Sequence, residues 1–266
     1  MPKKITIPDL VAAKKEERKI TMLTAYDYTM AKLIDQAGID IVLVGDSLGM
    51  VIQGRKNTLG VNLDHMIYHS HCVAKGLSQA HLVCDMPFMS YQSSIEEAVK
   101  NCGKIIKQGR AEAVKLEGGE EIAPTVKRLT NLGIPVMGHV GLMPMHVHRM
   151  GGYKVQGRDT KSEKQILKDA KAIEKAGAYS LVLEGIPATL AQKITRSLKI
   201  PTIGIGSGPH CDGQVLVIYD LLGMYQEIRP KFVRQYLNLF ETITEAVKHY
   251  IRDVQEGDFP SEKESF

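Results

Sequence analysis

The sequence predicts an α/β chain folded as one (β/α)8 barrel over residues 1–266, with an extra N-terminal helix region (1–19) and a polar C-terminal tail (257–266). Three observations predict it. A unit of amphipathic helix, stopping glycine, short β-branched strand and polar loop recurs along the chain. Eight strands can be counted, and their near-continuous apolar character is that of a parallel sheet covered on both faces. The length, 266 residues, matches the ~250 residues of a closed barrel, which eight such units favour over an open doubly wound sheet.

The elements follow in order. Residues 8–18 read as a helix ahead of the first strand, Ile20 to Thr24. Asp27 can cap a helix with Met30, Leu33, Ile34 and Ala37 on one face, ended by Gly38, and Ile39 to Val44 is the second strand. Leu82 to Cys84 is the third. Ser94 and Glu97 have the spacing of a capping box for a helix that turns Ile95, Ala98, Cys102 and Ile105 inward. Gly109 stops it before the fourth strand, Ala113 to Leu116. Glu120 and Glu121 sit where a helix N-terminus favours negative charge, Gly133 closes that helix, and Ile134 to Met137 is the fifth strand. Ser162 and Gln165 suggest a second capping box, with Ile166, Ala170 and Ile173 as the buried stripe and Gly177 as the stop. Leu181 to Leu183 is the sixth strand, Pro187 to Leu198 a helix, Pro201 to Ile205 the seventh strand and Val215 to Ile218 the eighth.

Composition narrows the function. The net charge of +4 is spread along the chain. Its densest group, Lys14, Lys15, Arg18 and Lys19, is interrupted by Glu16 and Glu17, as on a solvated helix face rather than a nucleic-acid arm. Such a charge weakly steers anionic small molecules. Cys72, Cys84, Cys102 and Cys211 include no C-x-x-C pair and lie in apolar patterns, as buried thiols of a reducing compartment do. No hydrophobic signal core follows Met1-Pro2-Lys3-Lys4, and no apolar run reaches the ~20 residues of a membrane span. A soluble cytoplasmic protein is expected, with no membrane or nucleic-acid partner.

Barrel enzymes build their sites at the C-terminal ends of the strands. Those positions hold Asp46 and Ser47, Asp85, Lys115 and Glu117, His139, and Glu184, an ionisable group at each of five consecutive strand ends. Lys115 and Glu117 share a strand face with Ala113, while Val114 and Leu116 take the other. A Lys and a Glu pointing into a barrel mouth are costly unless paired or used. Asp46, Asp85 and Glu117 together offer the hard oxygen ligands that suit Mg²⁺. Each has a plainer account taken alone: Asp46 or Asp85 as a turn acid, Lys115 in a structural ion pair, His139 as a satisfied core histidine. Those accounts must hold at five strand ends at once.

Gly204-Ile205-Gly206-Ser207-Gly208 reads either as a tight turn or as an anion cradle after the seventh strand. It lacks the full dinucleotide fingerprint and an acid at the expected distance. His146 and His148 have no acidic or cysteine partner at a zinc spacing, and there is no Gly-x-Ser-x-Gly elbow or Walker loop.

The stretches TMLTAYDYTMAKL, VGDSLGMVIQG, DMPFMSY, AVKLEGG, GIPVMGHVGL, GGYKVQGR, LVLEG and PTIGIGSG run in order from about residue 20 to about residue 224. In sequence and order they resemble the ketopantoate hydroxymethyltransferase family. The resemblance implies a (β/α)8 barrel assembled as a homodecamer. It implies a transferase that moves a hydroxymethyl group from 5,10-methylenetetrahydrofolate to 3-methyl-2-oxobutanoate, giving 2-dehydropantoate for pantothenate and coenzyme A synthesis. By the same resemblance Asp46, Asp85 and Glu117 hold one Mg²⁺, and Asp46, Ser47, Asp85, Lys115 and His139 contact the 2-oxo acid. Glu184 is the catalytic base. The chain departs from the family pattern at Arg55 (a histidine is expected), Gly60 (proline), Ser207 (alanine) and Tyr219 (histidine). None of these is a proposed metal ligand, lysine or base; they bear on the folate side and the flanking loops.

Overall fold

Eight short parallel strands close on themselves in sequence order, β1 pairing with β8. They are β1 (Ile20–Thr24), β2 (Ile41–Val44), β3 (His81–Asp85), β4 (Ala113–Glu117), β5 (Val136–Gly141), β6 (Ser180–Glu184), β7 (Thr202–Ile205) and β8 (Gly213–Leu216). The computed structural model describes residues 3–227 and 230–266. Met1 and Pro2, read above as the start of an N-terminus without a signal core, lie outside the described residues. The chain groups into two units, 1–217 and 218–266.

The first unit contains the barrel and its helices, α1 (Ile7–Lys15), α2 (Tyr28–Gln36), α3 (Leu48–Val51), α4 (Leu63–Gly76), α5 (Ile95–Lys107), α6 (Ala123–Asn131), α7 (Val147–Met150), α8 (Thr160–Lys175) and α9 (Ala188–Ser197). The interior is filled from alternate strand positions by Ile20, Met22, Ile41, Leu43, Val83, Ala113, Met137, Val182, Ile203 and Val215. Leu10 and Ala13 of α1 belong to the same cluster, so the N-terminal helix adds its apolar side to the barrel core. At ~1.5–3 kcal/mol per fully buried large aliphatic side chain, this interior is a main source of stability.

Helix signals hold for the most part. Asp27 caps α2, its carboxylate accepting the Met30 N–H at 2.9 Å. Gly38, Gly133 and Gly177 follow α2, α6 and α8 at positive φ. Ser94 caps α5 by accepting the Glu97 N–H, but the Glu97 carboxylate takes the Ser93 hydroxyl, so only half of the expected capping box forms. The box expected from Ser162 and Gln165 is corrected. α8 begins earlier, because the Asp159 carboxylate accepts both the Lys161 and Ser162 N–H groups. An anionic cap serving two amides at the positive end of the helix prevails over a neutral serine further along. Gln165 instead donates to Glu120 and Asp169.

The second unit holds α10 (Ile218–Leu221) and α11 (Leu239–Glu256), the latter capped by Asn238 and ended by Gly257 at φ +81°. No residue of α11 is buried, and Phe240, Ile243, Val247, Tyr250, Ile251 and Val254 form an exposed apolar stripe at helical spacing. No described helix is long and apolar enough to cross a membrane.

Candidate active site

Strand alternation sets the site. Two residues beyond the interior Val83 is Asp85, beyond Ala113 are Lys115 and then Glu117, beyond Met137 is His139, and beyond Val182 is Glu184. Period two therefore carries the apolar interior face upward into an ionisable layer at the C-terminal mouth. Asp46 and Ser47 arrive from the turn after β2. The turn is tight at Gly45, where a Cβ would stand 2.7 Å from Ser47 Oγ and the hydroxyl would have to turn away.

The layer is one connected cluster. Asp85 Oδ2 accepts the Asp46 N–H at 3.0 Å, and Asp85 Oδ1 lies 2.9 Å from Lys115 Nζ. Lys115 Nζ is 3.2 Å from His139 Nδ1. An ammonium has only protons to offer, so Nδ1 accepts and the ring proton resides on Nε2. That nitrogen lies 3.1 Å from Glu184 Oε2, off the axis of a full hydrogen bond. Glu117 Oε2 accepts the Met145 N–H at 3.1 Å, and its Oε1 is 3.6 Å from His139 Nδ1. Ser47 Oγ shares a 2.9 Å hydrogen bond with Tyr26 Oη. Asp46 Oδ2 and Thr58 Oγ1 are both buried without a well-formed hydrogen bond, although the Thr58 hydroxyl stands close enough to Asp46 to favour its charged form.

Four buried or nearly buried carboxylates thus share one ammonium, and the titration behaviour follows. Burial, reinforced by the Asp85 charge, raises Asp46 above the usual carboxylate range. Burial, with Asp46 beside it, raises Glu117 well above it. Burial pushes Glu184 up to about 7, with Lys115 partly countering. For Lys115 burial works against the charged form, but Asp85, Glu117 and Asp46 outweigh it and the ammonium is held above its ordinary value. Burial and the Lys115 charge keep His139 well below its ordinary value, so the ring is neutral. A carboxylate lifted toward neutrality beside a fixed cation is poised for proton transfer near physiological pH.

Among the described residues no three His, Cys, Asp or Glu side chains form a ready metal cage. Mg²⁺ does not require one, because it binds through one or two carboxylates and keeps waters and substrate oxygens in its other positions. Asp46 Oδ2, buried without a well-formed hydrogen bond and with Asp85 beside it in a cluster rich in carboxylates, fits such an ion.

The structure brings Asp46, Asp85, Lys115, Glu117, His139 and Glu184 into this one layer, with Ser47 on its edge. Sequence reasoning missed Tyr26, Thr58, the Met145 amide and Tyr91, whose hydroxyl meets the backbone of Glu117. Tyr91 lies within the DMPFMSY stretch, but its part here is played by a hydroxyl that no spacing rule locates, and a backbone amide leaves no mark in the sequence. The loop after β7 has the geometry of a turn: Gly206 and Gly208 have φ of +62° and +77°, and Ser207 Oγ donates to Leu183 O at 2.7 Å.

Comparison with known proteins agrees with the geometry. A family model described as ketopantoate hydroxymethyltransferase matches residues 4–262. A protein of Pelobacter propionicus named 3-methyl-2-oxobutanoate hydroxymethyltransferase is 56% identical over 266 residues, covering 100% of this chain and 98% of its own. One of the same name from Clostridium beijerinckii is 53% identical over 263 residues, 99% of this chain and 96% of its own. Among solved structures, phosphonopyruvate hydrolase in complex with oxalate and Mg²⁺ superposes with a TM-score of 0.63 at 14% identity, covering 98% of this chain and 93% of that one. 2,3-Dimethylmalate lyase, a member of the PEP mutase/isocitrate lyase superfamily, gives 0.61 at 14% identity, covering 100% and 93%. The solved structures share the barrel alone. With the match running nearly end to end, and the quoted motifs supplying every group of the mouth layer, this chain belongs to the ketopantoate hydroxymethyltransferase family.

Proposed function

We propose that the chain transfers a hydroxymethyl group from 5,10-methylenetetrahydrofolate to 3-methyl-2-oxobutanoate, forming 2-dehydropantoate. The observation that carries the reading is the charge imbalance of the mouth in a chain whose relatives bear that activity in their names. A 2-oxo acid is itself an anion. Once its carboxylates are ionised, a cleft with four of them and one ammonium repels it unless a cation is also bound. Asp46, Asp85 and Glu117 are the residues that would hold Mg²⁺, which when bound supplies Lewis-acid polarisation of the substrate's oxygens.

Lys115 and Ser47 hold the substrate carboxylate, beside Asp46, Asp85 and His139. Glu184 takes the proton from C3, and the electron pair of the broken C–H bond passes into the enolate of the 2-oxo acid. The enolate carbon then attacks the methylene carbon delivered by the folate. One of the methylene's two carbon–nitrogen bonds opens to give the iminium that the enolate attacks, and the second breaks after the C–C bond has formed. Water supplies the hydroxyl, and the C3 proton and the remaining proton of water end on the two folate nitrogens. His139, neutral and fixed by Lys115, sets its Nε2 edge 3.1 Å from Glu184 Oε2 and limits where the base can stand. Self-association, up to the homodecamer that the family resemblance implies, is supported by the exposed apolar stripe of α11, which water solvates poorly.

Proton NMR of 3-methyl-2-oxobutanoate with the protein and Mg²⁺ in D₂O tests the reading. Loss of the C3 proton signal, followed by a new hydroxymethyl signal when methylenetetrahydrofolate is added, is expected. Folded, metal-loaded protein that produces neither change would refute it.

A further inference from the structure

β3 ends at Asp85, where Met86 N–H donates the last backbone bond across to Lys115 O at 3.0 Å. Two residues further along β4, Glu117 presents its N–H and C=O to the same edge, where β3 no longer runs. Both groups are taken by one side chain. Tyr91 Oη donates to Glu117 O at 2.8 Å and accepts from Glu117 N–H at 3.1 Å, with Met145 Sδ 3.6 Å away. The phenol stands in for a missing strand residue.

Tyr91 is itself held firmly. It is 2% exposed and follows a turn in which Ser90 N–H and Ser90 Oγ both donate to Pro87 O. Buried Asn101 of α5 donates to Ser90 O at 2.8 Å. The Glu117 side chain is fixed separately, by the Met145 amide. Backbone and carboxylate of one residue are therefore clamped from two different loops, a degree of restraint that packing of a strand end does not require.

We propose that Tyr91 is a positioning residue for Glu117: by completing the β4 backbone beyond the end of β3, its hydroxyl sets where the Glu117 carboxylate stands for a divalent cation. The proposal rests on the reading of Glu117 as a metal-holding residue. Outer partners of metal-binding side chains commonly change metal affinity by about 10- to 100-fold.

The test is a double-mutant cycle on Mn²⁺ binding, followed by electron paramagnetic resonance without substrate, for the unmodified protein, Tyr91→Phe, Glu117→Gln and the double variant. Phenylalanine keeps the ring and removes only the hydroxyl. Tyr91→Phe should weaken Mn²⁺ binding about 10-fold or more, and in the Glu117→Gln background it should weaken it no further. Unchanged binding in Tyr91→Phe, or losses that multiply in the double variant, would overturn the positioning role, since a merely structural tyrosine acts independently of Glu117. If Glu117→Gln alone binds Mn²⁺ as the unmodified protein does, the metal role of Glu117 fails and the proposal falls with it. Amide hydrogen exchange in the unmodified protein gives a check independent of any variant's folding. The Glu117 amide should exchange as slowly as the strand amides before it, and rapid exchange would show that Tyr91 does not hold it.

Discussion

Replacing Lys115 by methionine removes the one ammonium of the mouth layer while keeping most of the side-chain volume. Lys115 is 5% exposed and Asp85 2%, and their charged groups lie 2.9 Å apart. Removing one partner of a buried pair strands the other and costs about 3–5 kcal/mol, a large share of a typical ~5–15 kcal/mol. The sign with pH follows from the shifts. Lys115 lowers the pKa of Asp46, Glu117 and Glu184, all of which burial raises. A group whose folded pKa lies above its unfolded value contributes stability that is complete below the unfolded pKa and is lost as pH rises through the folded one. Without Lys115 those folded values climb further, so the variant should lose most stability at alkaline pH and recover part of it when the carboxylates can protonate. Urea unfolding of metal-free protein, followed by circular dichroism, should show the gap between the two proteins widening between pH about 5 and pH about 8.5. A loss below about 1 kcal/mol at both values, or an equal loss at both, would mean that Lys115 does not neutralise this cluster.

Glu184→Gln should abolish exchange of the substrate's C3 proton into D₂O with 2-oxo acid binding largely kept; near-normal exchange would remove Glu184 as the base. In the unmodified protein kcat/KM should fall about tenfold per pH unit below the Glu184 pKa of about 7, and a rate flat down to pH about 5 would show that no group raised this far has to be ionised. Asp46→Asn should weaken Mg²⁺-dependent binding of the 2-oxo acid in calorimetry, and an unchanged metal requirement would take Asp46 out of the ligand set. Gly141→Ala should cost both stability and turnover. The residue sits at φ +100°, and its Cβ would be 2.3 Å from Glu184 O, so a thermal transition and kcat like those of the unmodified protein would mean that the Glu184 backbone yields freely.

The ionisable layer was legible because it rests on two local regularities, the period of a strand and the polarity of a barrel. Ala113, Lys115 and Glu117 could be placed on one face from spacing alone. β5 was harder. It runs Val136–Gly141, later than the Ile134 to Met137 that its apolar residues suggest. Gly138 and His139 are poor strand formers, held in the sheet by pairing with β4 and β6, and Gly141 ends the strand at φ +100°. α8 starts before Ser162 because Asp159 caps it three residues earlier, accepting the Lys161 and Ser162 amides. Two departures from the family pattern, Arg55 and Gly60, look unrelated in sequence, yet a Cβ on residue 60 would stand 2.4 Å from Arg55 Nη1. That nitrogen is the tip of an exposed, flexible side chain, so the two departures are neighbours in space. Tyr91 and the Met145 amide were not legible, because each acts through a contact fixed by tertiary packing.

The two ends of the barrel differ in how far their charged groups are satisfied. At the N-terminal end the polar groups are matched. Asp40 accepts from Arg18 and from both the N–H and hydroxyl of Thr21. Asp212 takes Lys14 and Thr202, and Asp35 accepts four bonds from residues 78 to 80. Glu112 joins Lys4, His81 and the Leu82 amide. Burial raises the pKa of Asp35 and Glu112, but those bonds outweigh it, and Glu112 falls to about 2. At the C-terminal end the same residue types are left with too few donors, and burial prevails at Asp46, Glu117 and Glu184. A chain that neutralises its charges this thoroughly at one end of a barrel has the means to do so at the other. The unbalanced end is therefore the one that a cation bound from outside would complete, by lowering the surplus of negative charge enough for an anionic substrate to approach.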